Sequence, residues 1–497
     1  MNVERCISLH NEIVRHGWVG SGRSPDTLAS HSKSWFQVFG DEAEAERSNL
    51  SPGLIQFLEQ VQIPRVEEEG LYPEFCYWVQ GLSHPEYMFE FEDMLWDYDY
   101  KNDKDEEGNG EEEEGEGDEE EEEIEEDQGD EEGEGIEEDQ GDEEEEGDEG
   151  RRLVLYDQKT NLCTLSLTIY DTDDISTQRW YPLEAVLTFW LSQIRNETIQ
   201  AAPEKGGRLR EEWPEVFDEY WEHAPWVFVP YNENMLKHNL DVWEKLVDAI
   251  ESRMPAASRS QAADPPAYGL LDDNIRDKID LPQRFAYNFL FRARRPRFKM
   301  IAPGLRIITS ADFSDQPFRS YMSKDKEEVP PILLFQSDLN FAEDSSWTPQ
   351  IPDDATVPNF FDYRDIKTYP SGLYLLPTNH RSLEDRISFV LPYAIGRKGF
   401  ARRGDGTDLA GGEDWRGKDS FTELYQPGRR ALEDFQAQSL AGVLESWLGM
   451  VERGDWEVDE NGVVGGMETW READTEEGWR KYVISSKEPS GSDWKLV

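Results

Sequence analysis

Acid–base and metal chemistry usually draws on histidines set among carboxylates, so their spacing is the first question. Seven histidines occur, at positions 10, 16, 31, 84, 223, 238 and 380, and no His-Glu-x-x-His pattern joins any two of them. His10 and His16 are six residues apart, which sets them on different sides of a helix. "EYWEHAPW" places Glu219 and His223 four apart, a spacing at which a carboxylate can orient an imidazole for proton transfer. The same spacing also serves as an ordinary contact between successive helical turns. "GGEDWRGKDS", from Gly411 to Ser420, nearly spells a phosphate loop, with Gly412, four residues, Gly417 and Lys418. The next position should be Ser or Thr to hold magnesium, and it is Asp419. Glu413 and Asp414 inside the loop would repel phosphate, so a surface loop is expected. Cys6, Cys76 and Cys163 cannot all pair, and the apolar surroundings of Cys6 and Cys76 suit core thiols. These patterns predict no catalytic residue, no metal ligand and no cofactor.

A nine-residue string, "IEEDQGDEE", occurs at 124–132 and again at 136–144, a period of twelve. Twelve is the length of an EF-hand calcium loop, which needs oxygens at positions 1, 3 and 5, Gly at 6 and an apolar residue at 8. Counted from Asp127, those positions include Gly129 at 3, Glu132 at 6 and Glu134 at 8, so the register fails. Local duplication in low-complexity sequence, with loose counterion binding, is the simpler reading.

The one concentrated basic stretch is "RARRPRFK", carrying Arg292, Arg294, Arg295, Arg297 and Lys299 and followed by Arg306. It could serve as a nuclear import signal, an anion-binding surface or a docking site for acidic sequence elsewhere in the chain. It could equally be a solvated strand edge, because "YNFLF" before it and "MIAPGLRII" after it read as structural.

The elements that must position these residues follow from apolar periodicity. Residues 1–100 read as mainly helical. "VERCISLHNEIV" puts Val3, Cys6, Ile7, Ile13 and Val14 on roughly one face, with "GWVGSG" expected to stop it. "SPGLIQFLEQV" has Ser51 as a cap, Pro52 at the first helical position and an apolar stripe. After Gly150, "RLVLYD" and "CTLSLTIYD" alternate as a hairpin. "PLEAVLTFWLSQI", "NMLKHNLDVWEKLVDAIESRM" and "RRALEDFQAQSLAGVLESWLGMVERG" carry helical stripes, and "GLRIITS", "PPILLFQ" and "ISFVLPYAI" read as short buried strands. "ASRSQAADPPA" suits a surface loop. "WEVDENGVVGG" predicts a hairpin with Asn461-Gly462 at its turn. In "DTEEGWRKYVI", Asp474 is expected to cap a last helix. Helices and short antiparallel strands mix without regular βαβ alternation, which predicts an α+β fold. The expected division is 1–100, 101–150 as a long disordered acidic insertion, and 151–497 in one or two lobes, with 1–100 completing the later core.

Charge supports the insertion. The chain has 108 acids and 50 bases, a formal −58, and residues 101–150 alone hold 32 acids against 2 bases, a net of −30. Extended over roughly 170 Å, those charges would lie about 6 Å apart, inside the ~8 Å screening length of physiological salt. Mutual repulsion then predicts disorder. No apolar stretch reaches the ~20 residues needed to span a bilayer, and the N-terminus, with Glu4 and Arg5, has no signal-like apolar core. The expected location is therefore cytoplasmic or nuclear, where the sequons at Asn49 and Asn196 carry no sugar.

The segment Gly465–Ile484, "GGMETWREADTEEGWRKYVI", resembles the ends of some uncharacterised fungal proteins, a resemblance that covers the last part of the chain and implies no activity. The leading expectation is a non-enzymatic interaction protein whose acidic tract draws basic proteins, such as histones or ribosomal proteins, by long-range attraction. The mean field repels DNA and anionic membranes, so neither is an expected partner. The alternative is an enzyme with a site assembled from distant residues, the tract being an inert loop. A third reading has the tract simply keep an aromatic-rich protein soluble.

Overall fold

The computed structural model describes residues 1–64, 82, 84–85, 88–89, 153–166, 180–203, 206–213, 225–259, 267–319, 322–323, 329–340, 369–378, 382–409, 422–428 and 437–485. The acidic tract with its repeat, the Glu219/His223 pair, Cys76, His380 and the "GGEDWRGKDS" segment lie outside the described residues. Within them the fold is α+β.

The chain opens with α1 (Val3–Gly20), capped by Asn2, whose side chain accepts from the Arg5 amide at 3.2 Å. The helix stops inside "GWVGSG", as expected, ending at Gly20 with Ser21 as its C-cap and Gly22 at φ 88° just beyond. Two glycines of the stretch also serve close packing. A Cβ on Gly17 would lie 3.0 Å from the Trp226 ring, and one on Gly20 would lie 2.5 Å from the Ala201 side chain. Helix α2 (Pro52–Gln60) begins as its sequence predicts, with the Ser51 hydroxyl accepting from the Leu54 amide. Strands β1 (Leu153–Asp157) and β2 (Leu162–Ser166) form the expected antiparallel hairpin, and β3 (Tyr181–Pro182) adds to β2. Helix α3 (Leu183–Arg195) buries Leu183, Val186, Leu187, Trp190, Leu191 and Ile194, the predicted stripe. Strands β4 (Ile199–Ala201) and β5 (Trp226–Phe228) pair antiparallel beside it. Residues from α1, α2, α3 and β2 share one core, in which Cys6, Ile13, Trp35, Leu58, Cys163 and Val186 are buried together. Sequence on both sides of the acidic tract therefore fills the same interior.

The second core lies under a nine-stranded sheet. Helix α4 (Glu233–Arg253) turns Leu236, Trp243, Val247 and Ile250 inward, and Met254 and Pro255 follow its end. Helix α5 (Phe285–Arg292) adds Phe285 and Phe289. The sheet comprises β6 (Met300–Ala302), β7 (Leu305–Ile307), β8 (Ile332–Asn340), β9 (Pro370–Leu375), β10 (Arg386–Val390), β11 (Glu423–Leu424), β12 (Gln438–Ser439), β13 (Val458–Asp459) and β14 (Gly462–Val463). Its order is β11-β10-β9-β8-β7-β6-β14-β13, with β12 also pairing to β10. All pairings are antiparallel except β14 with β6. Helix α6 (Leu440–Arg453) crosses α4 and buries Leu440, Val443, Leu444, Trp447, Met450 and Val451. Trp447, Trp456, Trp470, Phe389, Phe335 and Trp243 pack ring against ring in this core, with Trp470 only 4.7 Å from Phe389 between centroids.

Four local expectations are corrected. Helix α6 starts at Leu440, because Gln438 and Ser439 are taken by pairing with Ile387 and Arg386 and the Ser439 hydroxyl caps the helix from Gly442; residues 429–436 lie outside the described set. In the β13–β14 hairpin Asp459 pairs with Gly462, so Glu460-Asn461 forms the turn. Gly462, at φ 112°, meets a different demand, since a Cβ there would lie 2.3 Å from the Met300 carbonyl oxygen. Asp474 caps no helix. It ends a 3-10 segment, Met467–Asp474, and points into the protein, while the next helical turn, α7 (Trp479–Tyr482), starts five residues later. The "ASRSQ" stretch is also helical at first, over Ala256–Arg259.

The two cores meet along Leu383–Arg386. Leu383 belongs to the first, Ile387 to the second. Between them the Glu384 amide donates to the Pro230 carbonyl at 3.0 Å and Asp385 accepts from Asn239 at 3.1 Å.

Candidate functional site

The basic stretch read from sequence spans the end of α5 and the crossing toward β6, and Arg292, Arg294 and Arg297 face carboxylates of α4. Arg292 donates to both oxygens of Glu233 at 3.0 and 2.9 Å. Arg294 is 8% exposed and inserts its guanidinium among Glu244, Asp248 and Glu251, three acids on one face of α4. Its carbonyl accepts from the Trp243 indole at 2.8 Å. Burial alone would disfavour its charge, but Asp248, Glu244 and Glu251 outweigh that and hold its pKa above the ordinary value. Arg295 is engaged by the Gly269 and Leu271 carbonyls and by Asp272. Arg297 lies 3.9 Å from Glu251, which also accepts from the Arg297 amide. Lys299 is exposed, and its amide donates to the Asn461 carbonyl. The run thus holds a loop against a helix through its side chains. No sequence rule pairs residues some 50 positions apart, so this acidic stripe on α4 has no local signal.

Arg306, next along, forks onto Asp312 at 2.7 and 2.8 Å, and Asp312 also accepts from the Thr309 amide and hydroxyl in a capping box. Burial works against this carboxylate, yet Arg306 and Thr309 prevail and hold its pKa at about 2. A depressed folded value means the unfolded chain takes up the proton first. Its stabilisation is complete above the ordinary 3.8 and is lost as pH falls toward 2. Asp312→Asn is expected to flatten the acid limb of unfolding between pH 4 and pH 2 relative to the wild type, read by fluorescence-detected urea titration at several pH values; parallel limbs would refute it.

The described histidines do not converge. His10 is buried against the Phe57 ring, whereas His16 sits exposed, 3.9 Å from Glu12. His31 lies beside Trp18, and His84 pairs with Glu42 at 3.2 Å. His238 is on the exposed face of α4. Among the described residues no group of three or more His, Cys, Asp or Glu could hold a metal ion. Burial raises both described thiols, Cys163 to about 12 and Cys6 higher still, so each is a protonated core side chain.

Two concavities among the described residues bear on chemistry. One is a hollow of about 10 Å³ beside Arg284, Thr378 and the buried Glu384, whose pKa burial raises against the opposing pull of Arg284, 2.8 Å away. It has room for about one water molecule. The other is an open cleft of about 460 Å³ between α6 and α7, lined by Gly442, Ser446, Gly449, Arg453, Arg480 and Ile484 among others. Arg453 pairs with Asp455 at 2.8 Å, and Arg480 lies over the Trp479 ring. No histidine lines either concavity. Among the described residues no helix is long and apolar enough to cross a membrane. Set against known proteins, the chain matches no family model, no curated protein and no solved structure.

Proposed function

We propose that this chain is a non-enzymatic interaction protein of the cytoplasm or nucleus, whose acidic tract at 101–150 engages basic proteins such as histones or ribosomal proteins. The supporting observation is where the arginines of the basic stretch go. Arg292, Arg294, Arg295 and Arg297 all face Glu233, Glu244, Asp248, Glu251 or Asp272 of their own fold. The arginines of that stretch are therefore engaged within the fold, which supports leaving the net −30 of the tract for partners. An intramolecular pairing of tract and basic stretch would have to compete with these ion pairs, of which Arg294 with Glu251 is buried, and this favours binding in trans.

A row of about 30 charges attracts a basic protein well beyond contact distance, and that attraction is screened by salt. Removing 103–149 is expected to slow association with core histones roughly 10- to 10³-fold at low salt, and to erase most of the salt dependence that the intact chain shows. Stopped-flow fluorescence at several salt concentrations measures both. Binding that ignored both the deletion and the salt would exclude the mechanism.

A further inference from the structure

Asp474 is only 6% exposed, and its carboxylate is held by backbone amides of one loop. One oxygen accepts from Gly396 at 3.0 Å and Lys398 at 2.9 Å, the other from Phe400 at 3.0 Å and Ala401 at 3.2 Å. Four donors match the acceptor capacity of an ionised carboxylate. Gly396 at φ 99° and Gly399 at φ 74° supply the left-handed turns that aim successive N–H groups at one point, the geometry of an anion-binding nest. The loop reads "GRKGFARR", so no carboxylate of its own competes for these amides. No ion pair to Asp474 is found among the described residues; amide dipoles hold it. An ordinary salt bridge would leave the loop free to vary. This one is shaped around two oxygens.

We propose that the loop Gly396–Ala401 is a carboxylate-binding site and that Asp474 is its resident ligand. The loop recognises the anion by its oxygens alone and would accept the same group from outside once the side chain is removed. The C-terminal segment, which also inserts Trp470 and Tyr482 into the second core, is thereby docked by a charged plug as well as by apolar burial.

Asp474→Ala in the full chain excises almost one formate ion. The variant is expected to lose on the order of 5 °C or more in unfolding midpoint, and added formate is expected to restore part of that loss saturably, beyond chloride of equal ionic strength. Asp474→Asn keeps the shape but turns an amide NH₂ toward two N–H donors. It is expected to be destabilised and to gain nothing specific from formate, because the space is filled. Formate acting no better than chloride on Asp474→Ala, or Asp474→Asn matching the wild type, would overturn the assignment. Should Asp474→Ala fail to fold in chloride, refolding in formate is the reading, and failure in both salts also overturns it.

Discussion

Arg294→Ala is expected to cost about 3–5 kcal/mol of stability, because it strands carboxylates at a site built around one guanidinium. The cost does not measure the attraction alone. In the intact fold Arg294 pairs with Glu244, Asp248 and Glu251 at once, and Glu251 is itself buried. Without the guanidinium, Glu251 keeps, among the described residues, the Arg297 amide at 3.1 Å and the distant Arg297 side chain. Arg294→Lys is expected to recover little, since one ammonium cannot fork across three acids. Lys299→Ala, at an exposed side chain, is expected to change stability by less than about 1 kcal/mol. Urea unfolding followed by tryptophan fluorescence separates these cases. Equal, small effects at 294 and 299 would mean that the basic stretch is a free surface, and the argument for a tract available to other proteins would weaken with it.

The contrast between these two positions shows where sequence reasoning reaches its limit. Arg294 and Lys299 carry the same charge sign five residues apart, and nothing local says that one is a core hub and the other solvated. Elements specified by neighbouring residues were legible. Ser51-Pro52 starts α2, the stripe from Leu236 to Ile250 lies inside along α4, and the alternation in "RLVLYD" becomes β1. Elements specified by a distant surface were not. Gly17 and Gly20 read only as part of a stop signal, and their close approach to Trp226 and Ala201 has no local sign. Gly462 reads as a turn residue, yet it answers the Met300 carbonyl. Asp474 reads as a cap because an acid before a helical segment often is one, whereas its partners are amides more than 70 positions upstream. In each case the residue type was informative about a constraint, and only the fold says which constraint. The same holds for function. A charge run is visible in the sequence as a field, whereas the pairing that consumes or spares a basic patch is a property of tertiary contact.

His10 is expected to dominate the pH dependence of the first core between pH 6.5 and about 4. Burial against Phe57 disfavours the imidazolium, and its contact with Asn11 opposes that only in part, so the folded value falls from 6.5 to about 4. The unfolded chain then binds a proton that the folded chain refuses throughout that window. Stability is complete above pH 6.5, declines as pH falls through the window, and levels off below about 4. A shift of this size corresponds to roughly 3 kcal/mol as an upper figure. His16 shifts in the same direction through burial, with Glu12 opposing, but it is largely exposed and contributes less. Asp312 titrates lower, toward pH 2, and leaves this window undisturbed. His10→Gln removes the titration while keeping a neutral polar side chain. The stability difference between wild type and His10→Gln, followed by urea unfolding from pH 7 to pH 4, is expected to shift by up to about 3 kcal/mol in favour of the variant as pH falls. Since α1 shares its core with α3, from the far side of the acidic tract, the loss should register as separation of that whole core. A difference that stayed constant with pH would show that the imidazole meets water or a carboxylate in the folded chain, and the packing of α1 on α2 around Phe57 would need revision.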